Sequence, residues 1–399
     1  MPQVHSEMES TARIRVIGIG GSGKNAINHM VESKVKGVDF VVLNTDAQDL
    51  QQSAVKSKIH IGKNLTRGLG AGMNPAVGKR AAEETQSEIQ DMLRGSDMVF
   101  IAGGMGGGTC TGAAPVVAKI AKESGALTVA VVTKPFSFEG QQRMRLAESG
   151  LEELRKEVDA LIVIPNDRLL AVVDQTTTVK SAFAMCDEVL RQAVEGVSDL
   201  ITTPGNINLD FADIKAIMAD AGSALMGVGV ATGEKRAEDA ARLAINSPLL
   251  DISINGAKGV LLSIAGGEDL SLLEVQAAAQ IVTDTIDKNA KVIFGTSKDE
   301  RLKRGEIRVT VIATGFPEEG ARTGGTPLFQ TIKKDKRDEK EEAPSRIYNT
   351  VMPTPRPADE EDKKEEKVQR VEKKETVAKV DDEDDWSAVP AFLRRSKKG

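Results

Sequence analysis

The sequence predicts an α/β protein: a Rossmann-like parallel sheet, then a second α/β domain. Three observations carry that prediction. Short runs of Val, Ile, Leu, Ala and Phe alternate with helical patterns, as strands buried on both faces do. Glycine-rich loops follow two of these runs, Gly18–Lys24 and Gly103–Gly112. Lys, Glu, Asp and Pro then take over the composition after about Gly320.

In order, the predicted strands of the first half are Arg13–Ile19, Phe40–Leu43, Met98–Ala102, Leu127–Val132 and Ala160–Ile164. Each ends at Gly, Asn, Asp or Pro, which suits ligand loops beyond the carboxyl ends of strands. Residues 174–201 read as one long helix, with Val179, Phe183, Cys186, Leu190, Ala193 and Val197 at three- and four-residue spacing. A second set of strands follows at Val228–Thr232, Gly259–Ile264, Lys291–Phe294 and Ile307–Thr314. Helical segments at Phe211–Ala221, Arg236–Ile245 and Leu270–Asp287 are interleaved with them. The expected boundaries are 1–11 for an N-terminal extension, 12–173 for the nucleotide domain and 174–204 for the central helix. The second domain takes 205–317, a disordered linker 318–380 and a terminal peptide 381–399.

The linker composition buries too little apolar surface to fold. About 60 such residues reach roughly 40–50 Å. The final segment carries the chain's single Trp, with Trp386, Val389, Pro390, Phe392 and Leu393 close together. That is the pattern of a short motif that folds into a partner's groove.

Composition excludes several classes. Aromatic residues make up 3% of the chain, too few for base-stacking modules, and a net charge of −6 disfavours polyanion binding, so no nucleic-acid partner is expected. The two cysteines cannot build a disulfide scaffold, which suits a reducing cytoplasm. Residues Met1 to Thr11 lack a signal-peptide core, and no apolar run reaches membrane-spanning length. No direct membrane insertion is expected; a membrane role would pass through a partner.

The loop Gly103-Gly-Met-Gly-Gly-Gly-Thr-Cys-Thr-Gly112 has the makings of a phosphate cradle. Glycines let main-chain N–H groups converge on an anion, and a following helix start adds partial positive charge. Thr109 and Thr111 can donate hydroxyls to the same anion. The first loop, Gly18-Ile-Gly-Gly-Ser-Gly-Lys-Asn25, fits two templates imperfectly. As G-x-G-x-x-G it opens a dinucleotide site, with Asp46 as the ribose acid. As a P-loop it fails at Asn25, which replaces the Mg²⁺-binding hydroxyl. A dehydrogenase needs one such turn. Here two occur, with a third loop, Gly68-Leu-Gly-Ala-Gly-Met-Asn-Pro75, between them. That suits a triphosphate held by main-chain donors.

The run Gly106–Gly112 resembles the tubulin signature G-G-G-T-G-T-G, and the chain resembles the tubulin/FtsZ family. Further resemblance lies in Asn44-Thr-Asp, Gly68–Pro75, Lys134-Pro-Phe-Ser-Phe-Glu-Gly, Ile164-Pro-Asn-Asp-Arg-Leu, Gly205-Asn-Ile-Asn-Leu-Asp-Phe-Ala-Asp and Val389-Pro-Ala-Phe-Leu-Arg-Arg. It covers roughly residues 12–316 plus the tail. The resemblance implies a GTPase that binds GTP/GDP with Mg²⁺ and assembles head to tail with itself. It further implies a cytokinetic ring at the mid-cell division site of the bacterial cytoplasm, with membrane-tethering division adaptors held by the terminal peptide.

Residue by residue, the resemblance implies that Gly21, Ser22, Gly23, Lys24 and Asn25 wrap the phosphates together with Gly104, Gly106, Gly107, Gly108, Thr109 and Cys110. Ala71, Gly72 and Asn74 would approach the γ-phosphate, and Thr133 lines the site. Glu139 and Arg143 would contact the ribose, Asn166 and Asp187 would read guanine, and Phe183 would pack on the base. From spacing alone, Phe183 and Asp187 read equally as helix packing and a solvated charge. Cys110, Ser22 and Lys24 depart from the family's glycines. Cys110 at a helix start suggests a redox-sensitive thiolate or a tolerated small residue. Lys24 would add charge near phosphate or point to solvent.

No histidine cluster or Ser-His-Asp set can be assembled from His5, His29 and His60. Asp210 and Asp213 begin a predicted helix, where acids serve as caps. The resemblance instead implies that Asp210, Asp213 and Asn208 of one copy act on the nucleotide of the next. Two other readings remain open here: a nucleotide-binding polymer scaffold with little turnover, and an NAD-dependent oxidoreductase.

Overall fold

The computed structural model describes residues 12–170, 177–203, 207, 209–247, 254–299 and 302–316. Ten strands lie among them: β1 (Ile14–Ile19), β2 (Val38–Asn44), β3 (Ser57–His60), β4 (Met98–Gly104), β5 (Leu127–Lys134), β6 (Ala160–Pro165), β7 (Gly222–Thr232), β8 (Gly259–Gly266), β9 (Lys291–Lys298) and β10 (Glu306–Thr314). The helices are α1 (Gly20–Glu32), α2 (Ala47–Gln51), α3 (Lys63–Thr66), α4 (Pro75–Glu84), α5 (Gln86–Leu93), α6 (Thr109–Glu123), α7 (Gln141–Glu157), α8 (Asn166–Leu169), α9 (Val179–Thr202), α10 (Phe211–Met218), α11 (Arg236–Ile245) and α12 (Leu272–Thr283).

The strands form one sheet in the order β3-β2-β1-β4-β5-β6-β7-β10-β8-β9. From β3 to β7 all neighbours are parallel. Strand β10 runs antiparallel to both β7 and β8, so the second half is mixed. The join is β7, whose first residues pair with β6 (Ala160↔Gly222 to Ile162↔Ala224) while the rest pairs with β10. The two halves are thus linked through the sheet as well as by the central helix. The sequence reading missed this because Gly222-Ser-Ala-Leu-Met-Gly lacks the β-branched run that marks a strand.

Burial follows the expected pattern. Val16, Phe100, Val129, Val131 and Ile162 point to one face, where they meet α1 and α9. Ile17, Val99, Ile101, Ala130 and Val132 point to the other, beneath α4, α5, α6 and α7. A separate apolar cluster joins β8 and β10 to α11 and α12.

The central helix begins at Val179 rather than at residue 174. Thr178 caps it, its hydroxyl accepting from the Ser181 N–H at 3.1 Å. Cys186, Leu190, Ala193 and Val197 are buried as predicted, but Val179 and Phe183 are exposed. The first turns of α9 therefore stand clear of the core and leave Phe183 facing the ligand loops.

At 24 residues, α9 is about 36 Å long. Near its start, Phe183 meets Phe136, just beyond the carboxyl end of β5. Near its end, the Thr202 side chain lies against Gly37, just before β2 begins. The helix thus runs from the carboxyl edge of the parallel sheet to its amino edge.

Candidate functional site

Strands β1 and β4 are adjacent and parallel, with Gly18 opposite Ala102. Their carboxyl ends deliver α1 and α6 side by side. Neither helix has a side-chain cap or an acid in its first turn. Two uncapped helix starts aimed at one place form an anion site from main-chain donors alone.

Close approaches show how the loops converge. A Cβ on Gly104 would lie 2.6 Å from Ser22 Oγ and 3.4 Å from Thr133 Oγ1, which joins the first loop, the second loop and the end of β5. A Cβ on Gly108 would lie 2.7 Å from the Asn74 nitrogen and 2.8 Å from Ala71 Cβ, which seats the third loop on the second. Gly106 needs its φ of +97°, and its N–H donates to Thr111 Oγ1 at 2.8 Å. Gly107 has nothing within 4 Å of its Cβ position and opens outward. Gly72, also open, turns the chain at φ +56°. Asn74 is exposed and caps α4, accepting from the Ala76 N–H at 3.0 Å. Gly21, Ser22 and Asn25 are exposed at the start of α1.

Several sequence expectations need correction. Gly23 is buried; its Cβ would lie 2.6 Å from the Ala102 carbonyl, so its missing side chain serves helix–strand packing. Lys24 neither faces solvent nor aims at the loop mouth: it is buried and ion-paired with Asp49. Only Thr109 of the two threonines stays partly exposed, hydrogen-bonded to Thr45 Oγ1 at 2.7 Å; Thr111 is buried and committed to Gly106. Cys110 is buried in α6, and burial pushes its thiol up to about 12, which removes the thiolate reading. Asp46 caps α2, accepting from the Asp49 N–H at 3.0 Å, which explains it without a ribose.

The base side is assembled from β5, β6 and α9. Thr133 is buried at the end of β5, its carbonyl accepting from the Met105 N–H at 2.9 Å. Glu139 pairs with Arg143 at 2.7 Å and also accepts from the Phe136 N–H at 2.9 Å. Arg143 Nε and Asn166 Oδ1 are buried with no hydrogen-bond partner. Such orphans cost free energy unless a ligand satisfies them. Phe136 stacks on Phe138 at 4.9 Å and meets Phe183 edge-on at 5.4 Å. Burial raises the Asp187 carboxyl to about 6, with the nearby His29 acting in the opposite direction. Its neighbour Glu188 is also pushed upward by burial, but hydrogen bonds from Arg191 and His29 prevail and hold it near 2.

Sequence reasoning missed Thr45, Asp49 and the Phe136 stack. Asp49 and Thr45 meet their partners only through β2 lying beside β1, and no local pattern announces that. Phe136 carried a signal, since it sits in the Lys134-Pro-Phe-Ser-Phe motif.

The acids lie elsewhere. Asp210 holds the N-cap position of α10 yet makes no side-chain capping bond, and both Asp210 and Asp213 are exposed. The segment carrying them is tied at both ends to the amino edge. Thr202 lies by Gly37 at one end; at the other, the Asp220 N–H donates to Asp159, just before β6. The glycine loops sit at the carboxyl edge. Asn208 lies outside the described residues.

Uncapped helix starts, three converging loops and orphaned polar atoms at the carboxyl edge of a parallel sheet define the class: a nucleotide-binding α/β protein. The family description "Tubulin/FtsZ family, GTPase domain" matches residues 13–174, and "FtsZ family, C-terminal domain" matches 222–317. An empty FtsZ dimer from M. jannaschii is 48% identical, with a TM-score of 0.74 over 77% of this chain and 89% of that one. A GTPγS-bound CetZ2 protofilament from Haloferax volcanii shares the fold at 23% identity, with a TM-score of 0.65 over 77% and 94% of the two chains. A GDP-bound CetZ1 monomer from the same organism does so at 21%, with a TM-score of 0.67 over 77% and 95%. The chain belongs to the tubulin/FtsZ family and is a GTP-binding, GTP-hydrolysing enzyme.

Proposed function

We propose that copies of this chain stack head to tail and that GTP is hydrolysed at the seam between them. One observation carries the reading: the glycine loops and the unpartnered acids Asp210 and Asp213 belong to opposite edges of the sheet, spanned by α9. A single copy does not bring them together, whereas a second copy stacked on the carboxyl edge does. Such a contact is heterologous and propagates into a filament. The related dimer and protofilament support self-association.

In this reading the loops of residues 21–25, 71–74 and 104–109 hold the triphosphate. Asn166 and Asp187 accept from guanine N–H groups that adenine lacks. Phe183 covers the base, while Glu139 and Arg143 meet the ribose. Asp210 and Asp213 orient the attacking water, with Asn208 beside them, because phosphoryl transfer needs positioning more than covalent help. No group of three or more His, Cys, Asp or Glu among the described residues is placed to hold a metal. Thr109, partly exposed at the start of α6, would be the hydroxyl available to hold a Mg²⁺, which would supply charge neutralisation to the triphosphate.

The cellular role is the division ring at mid-cell. The terminal Trp386, Val389, Pro390, Phe392 and Leu393 dock to membrane-tethering adaptors. No helix among the described residues is long and apolar enough to cross a membrane.

Mixing two impaired variants tests the seam. Gly108→Val blocks the loops and Asp213→Ala removes an acid. Each alone is impaired at subsaturating GTP; mixed, the acids of the first serve the nucleotide of the second, and turnover exceeds the sum of the two alone. Absence of that excess, or turnover per subunit that does not rise with protein concentration, refutes the shared site.

A further inference from the structure

The first glycine loop contains a charge pair that binding alone does not explain. Asp49, on α2, reaches across so that its Oδ2 lies 3.5 Å from the Cβ position of Gly21, at the start of α1. A carboxylate is thus set beside the N–H groups that face phosphate. That oxygen accepts from Asn44 Nδ2 at 2.7 Å, and Oδ1 pairs with the Lys24 ammonium. Lys24 is 6% exposed and comes from α1 itself, one turn beyond Gly21. No acid from α1 or α6 occupies the first turn of either helix, so Asp49 is the negative charge nearest the first loop among the contacts described.

We propose that Lys24 screens the phosphate site: its ammonium neutralises Asp49, so that the carboxylate anchors Asn44 and α2 against the loop without repelling the incoming polyphosphate. Lys24 is then a positioning residue acting through Asp49, not a phosphate ligand. This rests on the placement of phosphates at residues 21–25 proposed above. A neutralised pair costs little beneath the loop. An unscreened carboxylate a few ångströms from a di- or triphosphate repels it in a medium of reduced dielectric.

The screen has a signature that a simple clamp lacks. Removing either partner strands a charge in a poorly solvated place, so Lys24→Met and Asp49→Asn both lower the melting temperature of the nucleotide-free protein. Nucleotide affinity moves in opposite directions. Titrations with GTP, GDP and guanosine on the full chain should show Lys24→Met weakening GTP binding about tenfold and Asp49→Asn strengthening it about threefold. The double variant returns to within about threefold of the wild type, the sum of the two opposite shifts. The effects shrink from GTP to GDP and vanish with guanosine. Equal losses of affinity in the two single variants, or identical shifts for GTP and guanosine, overturn the screen. Wild-type protein that binds guanosine as tightly as GTP overturns instead the placement of phosphates at this loop.

Discussion

At the carboxyl edge of the sheet, helices α1 and α6 begin without caps or acids, and Asn166 and Arg143 carry buried polar atoms with no partner. At the amino edge, Asp210 and Asp213 stand exposed, and Asp210 sits at a cap position that its side chain does not use. The first edge gathers main-chain donors, and the second exposes carboxylates. The head-to-tail contact proposed above would set one copy's carboxylates against the nucleotide that its neighbour's donors hold.

The comparison can be broken most sharply at the acidic edge. Asp213→Ala should lower GTP turnover by about a hundredfold or more while leaving nucleotide affinity unchanged, measured by phosphate release beside GDP titration. Equal loss of binding would place Asp213 within its own copy's pocket. At the opposite edge, Gly108→Val forces a side chain against Asn74 and Ala71. It should cost about five- to 150-fold in GTP affinity, since overpacking of about 1–3 kcal/mol falls on the loops themselves.

A third change sharpens the base side. The Asp187 carboxyl is raised to about 6 by burial. Its folded value lies above its unfolded one, so its stabilising contribution is present at low pH and is lost as pH rises from about 4 through about 6. In the proposed reading Asp187 accepts from guanine in its ionised form, so GTP affinity should run the other way and rise several-fold between pH 5 and pH 7. Asp187→Asn should flatten that profile. Asn166→Ala removes one acceptor and should cost about fivefold in GTP affinity, with a smaller effect on ATP. The smallest effect belongs to the tail. Deleting residues 386–399 should leave GTP turnover unchanged and abolish capture by a membrane-tethering adaptor.

Much of this was legible in the sequence because the signals were local. Strands β4 and β5 and helix α11 fall where apolar runs and helical spacing put them, and the glycine loops announce themselves by composition. What escaped depended on contacts between distant segments. The first residues of β7 look like a small-residue turn until β6 pairs with them. Lys24 reads as a phosphate ligand until Asp49 arrives from α2. Thr111 reads as an anion donor until its burial in α6 takes it out of reach. Phe183 and Asp187 were ambiguous by spacing alone. The exposure of the first turns of α9 separates Phe183 from the core, and the burial that raises Asp187 distinguishes it from a solvated surface charge.

The placement of α9 between the two edges gives any such stack a direction. In the proposed stack, the outermost copy at one tip would hold a nucleotide that no neighbour's carboxylates reach, so its fuel would stay intact. At the other tip, the acids would face open solvent with nothing to act on. Growth and decay would then be governed by different chemistry at the two tips, although every copy is the same molecule.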